Sequence, residues 1–244
     1  MRVRFAGSGD AFGSGGRWQT CIHLSGEGQV LLVDCGATSL VALRAQGLDP
    51  GAVDAVAVTH LHGDHFGGLP FLILDGQFSG RSAPLRVAGP PGIRARLAEA
   101  MEVLFPGSSR ARRRFPVEVT ELRTDGTAAR LGAATVRGWE VEHACGAPPL
   151  ALRVELGGAI FAYSGDTQWT AALARAAHGA DLFAVEAYTF DRPVRYHLDY
   201  QRLRAHLGEI DARRIVLTHM SAAMLTRLAD ADLPAAYDGM TADL

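Results

Sequence analysis

Short alternating or apolar stretches recur along the chain and are separated by glycine, proline and aspartate, a pattern typical of β-strands joined by turns. They predict strands at residues 2–6, 20–25, 29–34, 54–58, 85–88, 117–122, 127–131, 134–142, 150–155, 159–163, 182–185 and 214–218. Amphipathic patterns between them predict helices at residues 38–46, 68–74, 92–104, 169–177, 199–207 and 221–229. Strands and helices alternate in the later part of the chain, which predicts an α/β fold.

Length and composition indicate a compact domain with one large core. The chain has 244 residues, 48% of them hydrophobic and 20% charged, so we predict a single domain over residues 1–244. The net charge of −2 implies no general affinity for polyanions. The three cysteines form no C-x-x-C pair, and no run reaches the ~18 to 20 apolar residues of a membrane span. The chain also opens on a predicted strand rather than a signal peptide, so we predict a cytoplasmic protein with no membrane partner.

Three histidines and one aspartate lie in the segment T-H-L-H-G-D-H, residues 59–65, directly after an apolar stretch that predicts a buried strand. Neutral imidazole is the commonest ligand of zinc-like ions, and carboxylate is the usual oxygen partner. Residues i and i+2 of an extended segment face the same side, so His60 and His62 can share one ion. Asp64 and His65, after the turn, can face a second ion beside it. A surface loop that happens to be rich in histidine is the alternative interpretation.

Three further ligand-type residues stand at the ends of later predicted strands. His143 follows the alternating stretch 136–142, Asp166 follows 159–165, and His219 follows 215–218. Each one alone is more often a hydrogen-bonded structural residue. Together with the first segment they make seven ligands, which is roughly what two metal ions need in addition to a water.

These motifs resemble the metallo-β-lactamase fold superfamily. They are most similar to the branch that holds the tRNA 3′-end endonuclease RNase Z and its phosphodiesterase relatives. The matching segments are Gly7-Ser8-Gly9-Asp10-Ala11, Val33-Asp34-Cys35-Gly36, the block T-H-L-H-G-D-H-F-G-G-L-P, His143, Ser164-Gly165-Asp166-Thr167 and Leu217-Thr218-His219-Met220-Ser221. The resemblance implies a four-layer αββα sandwich.

The resemblance also implies two divalent metal ions. One ion is assigned to His60, His62 and His143. The other is assigned to Asp64, His65 and His219, with Asp166 bridging both. Two such ions lower the pKa of a bridging water, so that a hydroxide nucleophile is available near pH 7. Zinc is the expected ion, and manganese and iron are the alternatives, because histidine and carboxylate accept all three.

Two acidic residues and one histidine outside the seven-ligand set complete the predicted site. They are Asp34, Glu186 and His197. Asp34 resembles the buried carboxylate that orients a ligand in the family, although a turn former at a strand end is the alternative. Residues 185–190 read V-E-A-Y-T-F, where related enzymes carry H-E-A-T-F followed by a second histidine. We predict that His197 is the general acid and that Glu186 orients it and raises its pKa. The alternative is that both lie at the surface. Asp64 is counted among the catalytic residues as well as among the ligands.

The predicted activity is metal-assisted hydrolysis of a phosphodiester, with a small molecule or a short oligonucleotide as the substrate. RNase Z-type enzymes usually grip tRNA with a projecting arm, and the 23 positions between His143 and Asp166 leave no room for one, which disfavours tRNA. The basic run Arg110–Arg114 can guide a phosphate backbone but is more typical of a solvated loop. Hydrolysis of a carboxylic ester, lactone or aryl sulfate is a second hypothesis, and a non-catalytic metal-binding accessory protein is a third. Because a dimer is common among similar enzymes, a homodimer is a further hypothesis for this chain.

Overall fold

Two mixed β-sheets lie face to face in the computed structural model, which describes residues 1–244. The strands are β1 Arg2–Gly7, β2 Cys21–Gly26, β3 Gln29–Val33, β4 Ala55–Ala57, β5 Leu85–Gly89, β6 Val117–Glu121, β7 Ala129–Leu131, β8 Ala134–Glu140, β9 Leu150–Leu156, β10 Ala159–Tyr163, β11 Leu182–Glu186, β12 Ile215–Thr218 and β13 Thr241–Asp243. The first sheet has the order β13-β1-β2-β3-β4-β5-β6, and the second has the order β12-β11-β10-β9-β8-β7.

Helices cover the outer faces of both sheets. They are α1 Ser39–Ala45, α2 Gly63–Phe66, α3 Leu69–Phe78, α4 Ile93–Leu104, α5 Ala171–Ala177, α6 Tyr200–Ala205 and α7 Ala222–Leu225. Side chains of α1, α3 and α4 pack on the first sheet, and those of α5, α6 and α7 pack on the second. None of these helices has the length and apolarity needed to cross a lipid bilayer.

Alternating side chains along the strands of the first sheet contribute to two hydrophobic cores, one on each face of the sheet. In β3, Leu31 and Val33 enter the core between the sheets, whereas Leu32 enters the core under α1, α3 and α4. Successive side chains of a strand point to opposite faces, so an almost entirely apolar strand feeds both cores. The resulting helix–sheet–sheet–helix order confirms the predicted four-layer αββα sandwich.

All twelve predicted strands are present, one further strand was not predicted, and one predicted helix needs correction. Strand β13 was not predicted because three exposed or half-buried residues carry no periodic signal, yet it pairs antiparallel with Arg2–Arg4. The helix predicted over 221–229 ends at Leu225, and a separate 3-10 turn follows at Leu228–Asp230. There the Thr226 hydroxyl donates to the carbonyl of Ala223, a side-chain bond that competes with the helical pattern.

Strand direction positions the site. Strands β3, β4 and β5 run parallel in the first sheet, and β10, β11 and β12 run parallel in the second. The carboxyl ends of parallel strands meet at one edge, so the loops after β3, β4, β10, β11 and β12 converge. Between β8 and β10 the chain forms only β9 and the turn at residues 157–158, so no arm projects there, as predicted.

Candidate metal centre

The seven predicted ligands come together at this edge of the sheets. Their ligand atoms form two groups within which all atoms lie within 4.8 Å of one another, and a third group adds the predicted acid and its partner. The first group is His60, His62 and His143; the second is Asp64, His65, Asp166 and His219; the third is Asp166, Glu186, His197 and His219. The extended segment after β4 and the helical turn α2 therefore separate the four residues of the T-H-L-H-G-D-H segment between two groups.

Hydrogen bonds fix which nitrogen two histidines of the first group, His60 and His143, present to the centre. The Thr59 hydroxyl lies 2.8 Å from Asp34 Oδ2 and 3.0 Å from His60 Nδ1, so it donates to the carboxylate and accepts from the ring. His60 Nε2 is left buried with no hydrogen-bond partner. His143 Nδ1 donates to the carbonyl of Tyr196 at 3.0 Å, which leaves its Nε2 facing His62 Nδ1, also at 3.0 Å.

The second group is built in the same way around Asp34. His65 Nδ1 lies 2.6 Å from Asp34 Oδ2, so the ring presents Nε2 to the centre. That nitrogen lies 3.2 Å from His219 Nε2 and 3.2 Å from Asp64 Oδ2. Asp34 thus lies where a carboxylate that orients a ligand was predicted, fully buried behind His65.

Asp166 lies between the two groups. Its Oδ1 is 3.2 Å from His65 Nε2 and 3.4 Å from His219 Nε2. Its Oδ2 is 3.9 Å from His60 Nε2. The two oxygens of one carboxylate therefore face opposite groups, which is the arrangement that a bridging ligand requires.

The donor set fits divalent cations. His60 Nε2 and Asp166 Oδ1 are buried without hydrogen-bond partners, although such orphaned atoms usually cost about 1–3 kcal/mol each. His65 Nε2 and His219 Nε2 point at each other, and at most one of the two nitrogens can donate to the other. A cation satisfies these lone pairs together, whereas hydrogen bonds among the same atoms cannot.

The charges of the second group also favour a bound cation. Burial lowers the pKa of His219, but the carboxylates of Asp166, Asp64 and Glu186 outweigh it and raise the pKa to about 10. Burial also opposes the charged form of His65, yet Asp166, Asp64 and Asp34 raise its pKa well above the ordinary value. Four carboxylates around two imidazoles therefore favour positive charge at their centre.

In the first group, the pKa values of His60 and His62 are lowered rather than raised. Burial and the neighbouring His65 lower the pKa of His60 well below its ordinary value, and Asp166 only partly offsets this effect. Burial and His143 likewise lower the pKa of His62. Both imidazoles are consequently neutral at pH 7, which is the form that binds a metal ion.

The half-buried His197 and the buried Glu186 form a hydrogen-bonded pair beside the second group. His197 Nδ1 lies 2.5 Å from Glu186 Oε1, and Glu186 Oε2 accepts the backbone N–H of Thr167 and of Leu198. The same Oε1 lies 3.5 Å from His219 Nδ1. Burial lowers the pKa of His197, but the hydrogen bond and charge of Glu186 outweigh burial, and the net pKa is raised. Glu186 is fully buried, so the alternative of a solvated surface glutamate is wrong.

Three non-glycine residues of the site have left-handed backbone conformations. They are Asp34 at φ 61°, Tyr196 at φ 69° and His219 at φ 55°. Such conformations are uncommon for residues with a Cβ and persist where the surrounding structure enforces them. Their concentration around the two groups indicates that the strand-end loops are shaped to aim particular atoms.

A cavity of about 200 Å³ opens over the two groups, and two aromatic residues that the sequence did not single out line it. Phe12, in the loop after β1, is 83% exposed at the mouth of the cavity. Tyr188 stacks on His197 with ring centroids 4.5 Å apart. The basic run Arg110–Arg114 does not line this cavity and lies beyond α4, where the Arg113 guanidinium donates to the carbonyl of Ser108.

Comparison with known proteins agrees with this architecture. The short form of human tRNase Z superposes with a TM-score of 0.81 at 25% identity, covering 100% of this chain and 99% of that structure. A diphosphatase of the PhnP family superposes with a TM-score of 0.77 at 17% identity, covering 100% of this chain and 97% of that structure, and shows the shared fold.

Sequence relatives point to the same branch. Ribonuclease Z of Salinibacter ruber is 38% identical over 121 residues, which are 50% of this chain and 36% of that protein. Ribonuclease Z of Methanothermobacter thermautotrophicus is 41% identical over 93 residues, 38% of this chain and 30% of that protein, so the chain spans about a third of the length of these relatives. The family model described as anti-Pycsar protein Apyc1 matches residues 1–232. The chain therefore belongs to the anti-Pycsar protein Apyc1 family, within the RNase Z-like branch of the metallo-β-lactamase fold.

Proposed function

We propose that this protein is a dinuclear metal-dependent phosphodiesterase. The observation that carries the proposal is the pair of donor groups that Asp166 joins, one carboxylate oxygen toward each. His60, His62 and His143 would hold one ion, and Asp64, His65 and His219 would hold the other. The names of the relatives, ribonuclease Z and a diphosphatase, support a phosphorus ester as the substrate.

The ligand chemistry favours zinc. Five imidazoles and two carboxylates suit zinc, and manganese and iron(II) tolerate the same donors. When bound, two such ions supply a water that is deprotonated near neutral pH and positive charge that stabilises the phosphate oxygens. Asp64 contributes directly as a ligand, and its carboxylate stays ionised because nearby His65 and His219 lower its pKa despite burial.

His197 is the general acid in this proposal. Its Nδ1 is held by Glu186, so Nε2 is the nitrogen left to meet a substrate in the cavity that His197 lines. Glu186 keeps the imidazole protonated near neutrality, and the ring gives the Nε2 proton to the departing oxygen. Glu186 in turn is held by two backbone N–H groups, which fix the direction of its carboxylate.

The cavity favours a small substrate. About 200 Å³ lies below the 300–1,000 Å³ typical of drug-sized pockets, so the cavity holds the phosphodiester group and little more of a substrate. A cyclic nucleotide, a cyclic sugar phosphate or a short RNA end can place its phosphodiester there, with the rest of the molecule at the mouth of the cavity. Folded tRNA is the less favoured substrate, because no arm projects between β8 and β10 to hold the body of such a substrate.

Comparing four substrates, three p-nitrophenyl esters and a lactone, tests the proposal against its alternatives. Protein loaded with zinc is expected to hydrolyse bis(p-nitrophenyl) phosphate, and chelated protein is expected to be inactive. Hydrolysis of p-nitrophenyl acetate, a lactone or p-nitrophenyl sulfate without the phosphodiester would favour the ester or sulfate hypothesis. Inactivity toward all four by protein shown to hold two ions would favour the accessory-protein hypothesis.

We further propose that the protein forms a homodimer through an apolar patch on α3 and α4. Phe78 is 83% exposed and Val103 80% exposed, Phe71 and Leu104 are also exposed, and Phe78 and Leu104 line one surface depression. Exposed large apolar side chains on neighbouring helices are typical of an interaction surface. Light scattering is expected to show a dimer that Phe78→Glu dissociates, whereas the matched change Val41→Glu on α1 leaves it intact. A monomeric unaltered protein would contradict this proposal.

A further inference from the structure

One residue between the two halves of the site has no side-chain role in the chemistry proposed so far. Tyr196 is half-buried, and its ring lies under the Arg195 guanidinium at 4.5 Å. Its backbone makes the more informative contact: the carbonyl oxygen accepts from Nδ1 of His143 at 3.0 Å. A hydrogen bond to the second ring nitrogen of a metal-binding histidine fixes both the tautomer and the orientation of the ring.

The same residue precedes His197 in a tight turn. The backbone N–H of His197 donates to the carbonyl of Val194 at 3.0 Å, which closes a four-residue turn with Tyr196 in the third position. The φ of 69° at Tyr196 is the positive value that a type II turn requires there. On its other side, His197 is followed by Leu198, whose N–H donates to Glu186 Oε2. The turn therefore sets the direction from which His197 approaches Glu186.

We propose that Tyr196 is a positioning residue that couples the first donor group to the general acid through its left-handed backbone conformation. The inference rests on the proposed metal centre. One backbone geometry satisfies both halves: it aims the carbonyl of Tyr196 at His143 and places the next residue, His197, on Glu186. If φ changes sign, the carbonyl rotates away from His143 and the direction of His197 changes with it.

Substitutions at position 196 separate backbone from side chain. Glycine adopts positive φ freely and asparagine tolerates it, whereas the β-branched valine resists it strongly. Tyr196→Gly and Tyr196→Val both remove the ring, so the ring cannot explain a difference between them. Glu27, at φ 50° in the exposed turn between β2 and β3, offers a matched control, because Glu27→Val imposes similar backbone strain far from the site.

The measurements are zinc affinity, by competition with a chromophoric chelator, and turnover of an alkyl phosphodiester. We expect Tyr196→Val to lose about 10- to 100-fold in both, the usual effect of removing a group that orients a metal ligand. Tyr196→Gly and Tyr196→Asn should stay within about threefold of the unaltered protein, and Glu27→Val should lower only the melting temperature. If Tyr196→Val does not fold, equal losses in the glycine and asparagine variants would overturn the inference.

Two outcomes contradict it directly. One is a valine variant with unaltered zinc affinity and turnover. The other is a glycine variant as impaired as the valine variant, which would assign the effect to the ring. Failure of the unaltered protein to bind zinc at all would instead overturn the proposed function, so the two failures are distinguishable.

Discussion

His197 Nδ1 and Glu186 Oε1 lie 2.5 Å apart, and the carboxylate that makes this contact is fully buried. Its second oxygen accepts two backbone N–H groups, so the carboxylate cannot rotate without losing them. Glu186 also lies 3.5 Å from the Nδ1 of His219, a predicted metal ligand. A single carboxylate thus holds the proposed general acid in a fixed position relative to the candidate metal centre.

Replacement of His197 should affect substrates according to their leaving groups. An alkoxide must be protonated as it departs, whereas p-nitrophenolate leaves without a proton. His197→Ala should therefore slow hydrolysis of an alkyl phosphodiester by about 100- to 10,000-fold and that of bis(p-nitrophenyl) phosphate much less. Zinc content should not change, because His197 belongs to neither predicted ligand set. Equal losses on both substrates would argue against proton donation by His197.

Glu186 should determine the pH at which turnover falls on the basic side of its pH profile. A protonated His197 is the active form, so turnover of an alkyl phosphodiester should fall as pH rises through the raised pKa of His197. Glu186→Gln removes the negative charge that raises this pKa while keeping the size of the side chain. The limb should therefore move to lower pH in Glu186→Gln, and an unmoved limb would show that another group titrates there.

Asp34 should act on the metal centre through His65. Asparagine tolerates the left-handed conformation at position 34 and keeps the shape of aspartate, so Asp34→Asn mainly removes the charge behind the ring. We expect zinc affinity to fall about 10- to 100-fold. Asp54 provides the control, because its carboxylate accepts the N–H of Val30 at 2.8 Å outside the site, and Asp54→Asn should leave zinc affinity unchanged. Comparable losses in both variants would indicate a general structural effect.

Zinc binding should release protons. The pKa of His219 is raised to about 10 and that of His65 well above its ordinary value, so the facing Nε2 atoms of this pair hold a proton at pH 7 in the metal-free protein. An ion must displace this proton, so affinity should increase as pH rises toward 10, and at least one proton should be released per protein at pH 7, in addition to the proton that a metal-bound water loses. Calorimetry in buffers of different ionisation enthalpy measures this number. Release of none would mean that these histidines are neutral or are not ligands.

The sequence predicted the candidate site better than it predicted the loops around it. His143, Asp166 and His219 could be found because each carries ligand chemistry and ends a strand, and parallel strands bring such ends together. Tyr196 could not be found, since its contribution is a backbone carbonyl in an unusual conformation, which no residue type signals. Tyr188 reaches the cavity only through the path of the loop after β11.

The fold likewise contains elements that the sequence pattern predicts and one strand that it does not. Strands with apolar alternation were predicted to within a few residues, because burial on a known face determines them. Strand β13 escaped prediction because its pairing with β1, from the other end of the chain, orders three residues that have no pattern of their own. Long-range pairing of this kind is a property of the assembled sheet rather than of the segment.

The central claim is tested most directly by adding zinc back to chelator-stripped protein while bound metal and turnover of bis(p-nitrophenyl) phosphate are measured together. The proposed centre predicts that turnover rises until about two ions are bound per chain and then stays constant. It also predicts that Asp166→Asn lowers both the number of bound ions and the turnover. Full turnover in the stripped protein, or none with two ions bound, would contradict the account.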